Sequence, residues 1–138
     1  MTIKEIQEEI IDEFSMFDDW MDRYEYIIDL GKSLSLIDVR YKLDENLIKG
    51  CQSKVWLYSD LQNDKLIFTA DSDAILTKGI VALLLRVYSN QKAEDILEAD
   101  TKFVDEIGLK EHLSPTRANG LVSMIKQIKM YAIALQAK

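Results

Sequence analysis

Apolar residues recur at helical spacing from the N-terminus of the chain. Ile3, Ile6, Ile10 and Phe14 form one stripe, with Glu8, Glu9, Asp12 and Glu13 among the outward positions. Thr2 with Glu5 three residues on reads as a Thr-x-x-Glu capping box that starts this helix. After Ser15 and Met16 a second stripe follows, formed by Phe17, Trp20, Met21, Tyr24, Ile27 and Ile28, and Gly31 is placed to end it. Aromatic residues at this spacing are read as core. From Leu36 to Lys49 no period is clear.

Lys54 to Ser59 and Lys65 to Ala70 are rich in β-formers, and the polar Asp60 to Asp64 link makes them an antiparallel hairpin. A short extended piece around Leu47 and Ile48 is expected as a third strand. Asp71-Ser72-Asp73 is expected to cap a helix running to about Tyr88, because these side chains accept hydrogen bonds from the free N–H groups of a first turn. That helix is apolar on nearly every side, from Ile75 and Leu76 to Leu85 and Val87, which places it at the centre of the fold. Two short helices are expected around Ala93 to Leu97 and Lys102 to Ile107. Ser114 as N-cap and Pro115 at the first helical position open a last helix, whose inward stripe is Leu121, Met124, Ile125, Ile128, Ala132 and Leu135. The fold class is α+β, a small antiparallel sheet of about three strands packed with helices.

Length and composition narrow the class further. The 138 residues suit one domain, 1–138, with no internal repeat. One proline and five glycines leave little material for a disordered linker. The N-terminus is acidic and lacks the basic and apolar regions of a signal peptide. The most apolar stretch, Ala74 to Val87, holds Lys78 and Arg86 and is shorter than the roughly 20 residues that a bilayer needs. A lone cysteine forms no internal disulfide, so the expected compartment is the cytoplasm, away from any membrane.

Charge is unevenly spread. Residues 1–30 carry ten acids against two bases, residues 31–113 fourteen against eleven, and residues 114–138 four bases and no acid. Such blocks are usually solvated faces. The formal net charge of −7 argues against nucleic acid, which demands clustered Lys and Arg.

Little catalytic machinery stands out. The chain has one histidine, His112, one cysteine, Cys51, and no Gly-rich phosphate loop, HExxH pair or CxxC. A zinc site of the usual Cys/His type or a four-thiolate iron–sulfur site is therefore not expected. Cys51 sits in the polar run Lys-Gly-Cys-Gln-Ser-Lys just before a strand, where no apolar period asks for a core residue. Gly50 suits a tight loop, and Lys49 and Lys54 are expected to favour the thiolate, the nucleophilic form.

The run Gly50-Cys51-Gln52-Ser53-Lys54-Val55-Trp56 resembles the cysteine motif of the SufE family of sulfur-acceptor proteins. Asp71-Ser72-Asp73-Ala74 with Gly79, and Leu113-Ser114-Pro115-Thr116-Arg117 with Gly120, resemble its second and third blocks in the same order. The similarity runs from the Trp20 region to the end. It departs after the central helix, where the family often has a Gly and a Pro before Glu-Ile and this chain reads Asn90-Gln91-Lys92-Ala93-Glu94-Asp95-Ile96.

The resemblance implies an α+β fold similar to that of IscU scaffolds. It also implies a function: a carrier that takes sulfur from a SufS-type cysteine desulfurase, stimulates its turnover and delivers to a SufBCD-type scaffold. Cys51 matches the persulfide-bearing cysteine, with Gly50, Gln52 and Ser53 in its loop. Asp73 and Arg117 match polar positions assigned to loop positioning or partner contact. No cofactor is implied for the carrier, since the pyridoxal phosphate belongs to the desulfurase. Because a persulfide is easily lost, the loop is expected to be partly sheltered until the partner binds. Competing readings are a CsdE-like carrier for another desulfurase, a thiol hydrolase or transferase using Cys51 and His112, and a helical interaction module with an inert Cys51.

Overall fold

The computed structural model describes residues 1–51 and 53–136. Its chain order is α1 (Ile3–Ser15), α2 (Trp20–Gly31), two 3₁₀ turns, β1 (Val55–Gln62), β2 (Lys65–Ser72), α3 (Ile75–Tyr88), β3 (Gln91–Lys92), α4 (Ala93–Glu98), α5 (Lys102–Glu106), α6 (Leu109–His112) and α7 (Pro115–Gln136). The fold class is the expected α+β, with an antiparallel sheet ordered β1-β2-β3.

The capping box at Thr2 and Glu5 is formed in both directions, and Ile3, Ile10 and Phe14 are buried. In α2 the stripe divides. Ile27 is fully buried, Trp20 and Tyr24 are half-buried, and Met21 points into solvent at 65% exposure, against the expectation that it joins the core. Asp19, not an apolar residue, fixes where this helix begins, by accepting from the Met21 N–H at 2.7 Å.

Gly31 does not end α2 by adopting a left-handed conformation. The cap is Lys32, with a right-handed φ of −68°. Gly31 is needed because α2 crosses α3 at Gly79: a Cβ on Gly31 would sit 3.0 Å from the Gly79 backbone nitrogen, and one on Gly79 would sit 2.0 Å from the Ile27 carbonyl oxygen. Two glycines let the helix backbones touch. α3 then lies against α2, β2 and α7, with Ile80, Val81, Leu83, Leu84 and Val87 all buried.

The hairpin is longer than its β-former runs. β1 and β2 pair from Val55 with Ser72 to Gln62 with Lys65, leaving a two-residue turn at Asn63 and Asp64. Both turn residues have positive φ, 52° and 67°, as a type I′ turn requires, and Asn and Asp tolerate that region. The extra length also corrects the expected cap of α3. Asp71 and Ser72 belong to β2, and α3 starts after Ala74 with no side-chain cap. Asp71 instead pairs with Lys42 and Lys78.

The third strand is β3, which pairs Lys92 with Lys65 and Gln91 with Leu66. It is not the Leu47–Ile48 piece, where Leu47 makes only an isolated bridge to Trp56 on the other edge. β3 occupies the segment that departs from the family pattern, and Asn90 turns the chain into it with a φ of 62°. In α7, Ser114 caps the helix through the Arg117 N–H at 3.2 Å, and Leu121, Met124, Ile125, Ile128 and Ala132 are buried.

Candidate functional site

The cysteine loop is wedged between the start of α3 and the first half of α7. Gly50 has a φ of +91°, and a Cβ there would come within 2.7 Å of Ser123 Oγ. Glycine suits this position for its positive φ, and it also lets the loop come close to Ser123 of α7. Gly120, one turn before Ser123, gives Cys51 its place: a Cβ on Gly120 would lie 3.5 Å from Sγ. The thiol donates toward the Gly120 carbonyl oxygen at 3.7 Å.

Cys51 is half-buried. Beside it lies a crevice of about 10 Å³, space on the scale of a single water molecule. Ser53, Thr77 and Thr116 bring hydroxyl-bearing side chains to its wall, Ile80 and Met124 close it with apolar surface, and Arg117 stands at it from the first turn of α7. Burial pushes the Cys51 thiol above its ordinary value. Lys49 and Lys54 do not offset that shift, so the expectation that they favour the thiolate is not met: both are exposed, and desolvation of the sulfur wins.

Asp73 holds the far end of the loop. Its Oδ1 accepts the Lys54 N–H at 3.1 Å, and its own N–H donates to the Lys54 carbonyl oxygen at 3.3 Å. This pair of bonds fastens the residue that leaves the cysteine loop to the residue that leads into α3. Cys51, Ser53 and Arg117 therefore share one crevice, and Asp73 reaches it through Lys54. Gly50 abuts Ser123 behind the loop, and Gln52 lies outside the described residues. Thr77, Thr116, Ser123 and Met124 were not singled out from the sequence as site residues. Gly120 carried a usable signal, because a glycine inside a helix costs about 1 kcal/mol against alanine and so draws attention to what packs beside it.

His112 is not part of this crevice. Its ring stacks on Trp20 with centroids 3.8 Å apart, and its Nδ1 lies 3.0 Å from the Gly108 carbonyl oxygen. Among the described residues no group of three or more His, Cys, Asp or Glu side chains is gathered as a metal site would need. No described helix is long and apolar enough to cross a membrane.

Fold and site define an α+β domain built around one sheltered cysteine, with no histidine or carboxylate among the described lining residues of its crevice. The SufE family model, described as an Fe–S metabolism associated domain, matches residues 8–132. The chain is 42% identical over 130 residues to an uncharacterized SufE-like protein of Rhizobium meliloti, covering 91% of this chain and 93% of that one. It is 35% identical over 132 residues to the SufE-like protein 1, chloroplastic/mitochondrial, of Arabidopsis thaliana, covering 95% of this chain and 36% of that one. The solution structure of a hypothetical protein from Thermus thermophilus has the same fold, with a TM-score of 0.81 at 16% identity over 96% of this chain and 97% of that one. The chain belongs to the SufE family. Membership gives it a sulfur-transfer function in iron–sulfur metabolism, with a cysteine desulfurase as partner.

Proposed function

We propose that Cys51 is the sulfur acceptor and that this chain is a covalent carrier between a SufS-type cysteine desulfurase and a SufBCD-type scaffold. The observation that carries the reading is the placement of the lone thiol: a half-buried sulfur on a loop held at both ends, opening on a crevice edged by Arg117. The Cys51 thiolate attacks the outer sulfur of the persulfide on the desulfurase cysteine. A new S–S bond forms at Cys51, the donor's S–S bond breaks, and the donor cysteine leaves as a thiolate. The sulfane sulfur carries its oxidation state with it, so no external oxidant or reductant enters. Removing the persulfide frees the desulfurase for another turnover, which makes the carrier an activator as well as a cosubstrate. In this reading the carrier needs no cofactor of its own, acts in the cytoplasm, and pyridoxal phosphate stays with the desulfurase.

The raised thiol pKa fits a resting state that guards against premature reaction. Ionisation then belongs to the docked complex. Arg117 is exposed in the free chain like Lys49 and Lys54, but it lines the crevice, and in this reading it favours the thiolate once docking excludes water. A CsdE-like carrier would use the same chemistry with a different desulfurase. A hydrolase using Cys51 and His112 is disfavoured by the commitment of His112 to Trp20 and Gly108.

The test is intact-mass analysis after incubation with a SufS-type desulfurase, pyridoxal phosphate and L-cysteine. The expected result is one added sulfur, removed by reductant and absent from Cys51→Ser. No added sulfur with a desulfurase that turns over normally would overturn the reading.

A further inference from the structure

A groove of about 430 Å³ runs between the Glu45–Lys49 segment and the second half of α7. It continues directly from the cysteine loop. Ser123 lines the groove and is also the side chain that Gly50 abuts, while Lys49 lines it and precedes Gly50 in sequence. Its walls are fixed in advance. The Tyr131 hydroxyl donates to the Leu57 carbonyl oxygen at 3.0 Å, and Asn46 Nδ2 donates to the Tyr41 carbonyl oxygen at 2.6 Å. A groove that is already built loses little entropy on being filled.

The exposed side of α7 beside it repeats Val122, Lys126, Met130 and Ile133, spaced so that all four share one helix face. Val122, Met130 and Ile133 are 49%, 51% and 58% exposed, which is apolar surface that α7 leaves uncovered. Lys49 and Lys126 line the groove, and Lys54 and Arg117 lie at the cysteine loop and its crevice. Glu45 is the acid in the groove wall, with exposed Asp44 in the same turn, and Asp73 at the cysteine loop is bonded to the Lys54 N–H. Although the chain carries a net charge of −7, the described lining of the groove holds two cations against one acid.

We infer that this groove is the docking surface for the sulfur donor, and that it takes an acidic segment of the desulfurase carrying an apolar side chain. The segment sets its apolar side chain against Met130 and its carboxylates against Lys49 and Lys126. That contact leads the donor's persulfide along the groove to Cys51. The inference rests on the desulfurase reading above. It adds the chemistry of the surface that the partner presents, and it makes first encounter dependent on salt.

The test measures binding of the full chain to a SufS-type cysteine desulfurase by calorimetry at low and high salt. The rate of persulfide loading below saturation is read by intact mass in parallel. Lys126→Glu combined with Met130→Asp should weaken binding about tenfold and flatten its salt dependence. Below saturation the rate of loading should fall in step with binding, while alkylation of Cys51 by iodoacetamide stays at the wild-type rate, because neither residue lines the Cys51 crevice. Both side chains are exposed, so the melting temperature should stay within a few degrees. Glu45→Lys should tighten binding at low salt, an effect that damage to the fold would not produce. Wild-type affinity in the double variant, with normal loading of the wild-type chain, would overturn the groove as docking site and leave the carrier reading standing. Failure of the wild-type chain itself to load would sink both, and the wild-type control tells the two failures apart.

Discussion

At the scale of single residues, the chemistry of this protein is set by how tightly Cys51 is held. Burial keeps the thiol protonated past its ordinary value, so alkylation of native Cys51 by iodoacetamide should run slower at neutral pH than that of a free cysteine. Its half-maximal pH should lie above the usual cysteine value; a midpoint at or below that value would show that the lysines, not burial, decide. Asp73 fastens the loop to the lead-in of α3 through Lys54. Replacing it with alanine should speed alkylation several-fold while lowering stability by only about 1 kcal/mol, the net worth of a partly exposed hydrogen bond. An unchanged alkylation rate would mean that the loop is held by its contacts with α7 alone. Gly120→Ala is a different case. The added methyl meets Cys51 atoms at ordinary contact distances of 3.5 to 3.8 Å, so the fold should survive while sulfur loading slows.

At the scale of elements, the crossing of α2 and α3 is the joint most sensitive to change. A methyl on Gly79 would overlap the Ile27 carbonyl oxygen, and rigid helix backbone cannot move aside as a side chain can. Gly79→Ala should therefore cost at least the upper end of the about 1–3 kcal/mol typical of overpacking, read from urea denaturation. A cost below about 1 kcal/mol would mean that the two helices separate freely. The glycine pair also explains why Gly31 looks from the sequence like a helix terminator: its position at the end of α2 fits both roles, and only the neighbouring helix decides between them. The hairpin is a related case. Polar Asp60, Gln62 and Asp64 resemble a loop, yet pairing with β2 carries the strand to Gln62, although Asp60, Leu61 and Gln62 are all exposed.

At the scale of the whole molecule, α1 is tied to the central helix by charge. Arg86 of α3 meets Glu9 and Glu13 of α1, and Tyr26 donates to Glu13. The Arg86 guanidinium holds the Glu13 carboxyl below its usual value, although burial opposes that. Burial is the largest single effect on Asp71 and raises it, but the Lys42 bond, the Ser72 N–H and the charges of Lys42 and Lys78 together outweigh it and hold the carboxyl below its usual value. A depressed carboxylate binds fewer protons folded than unfolded, so its contribution is present above the ordinary carboxylate pKa and is lost as pH falls through the lower folded value. Stability should accordingly drop on acidification below about pH 5. Arg86→Met should flatten that drop, as measured by chemical denaturation at a series of pH values. An unchanged slope would place the acid sensitivity in other carboxylates.

Local pattern determined a good deal by itself. The capping box at Thr2, the Ser114-Pro115 opening of α7, the all-round apolar α3 and the hairpin were legible because each is written in neighbouring residues. Cys51 was legible as a candidate because it is the lone thiol in a polar run. What the sequence left open was everything that depends on which elements touch. Lys49 and Lys54 lie next to Cys51 in the chain, but the burial that raises the thiol comes from its packing beside residues of α3 and α7, far along the chain. Arg117, Thr77 and Ser53 belong to three separate segments and meet only at the crevice. β3 has two residues and no strand pattern, and it exists because Lys65 and Leu66 offer it an edge. Periodicity fixes which side of an element is apolar. The neighbour that covers that side, and the burial and charge that follow at Cys51, are properties of the packed chain alone.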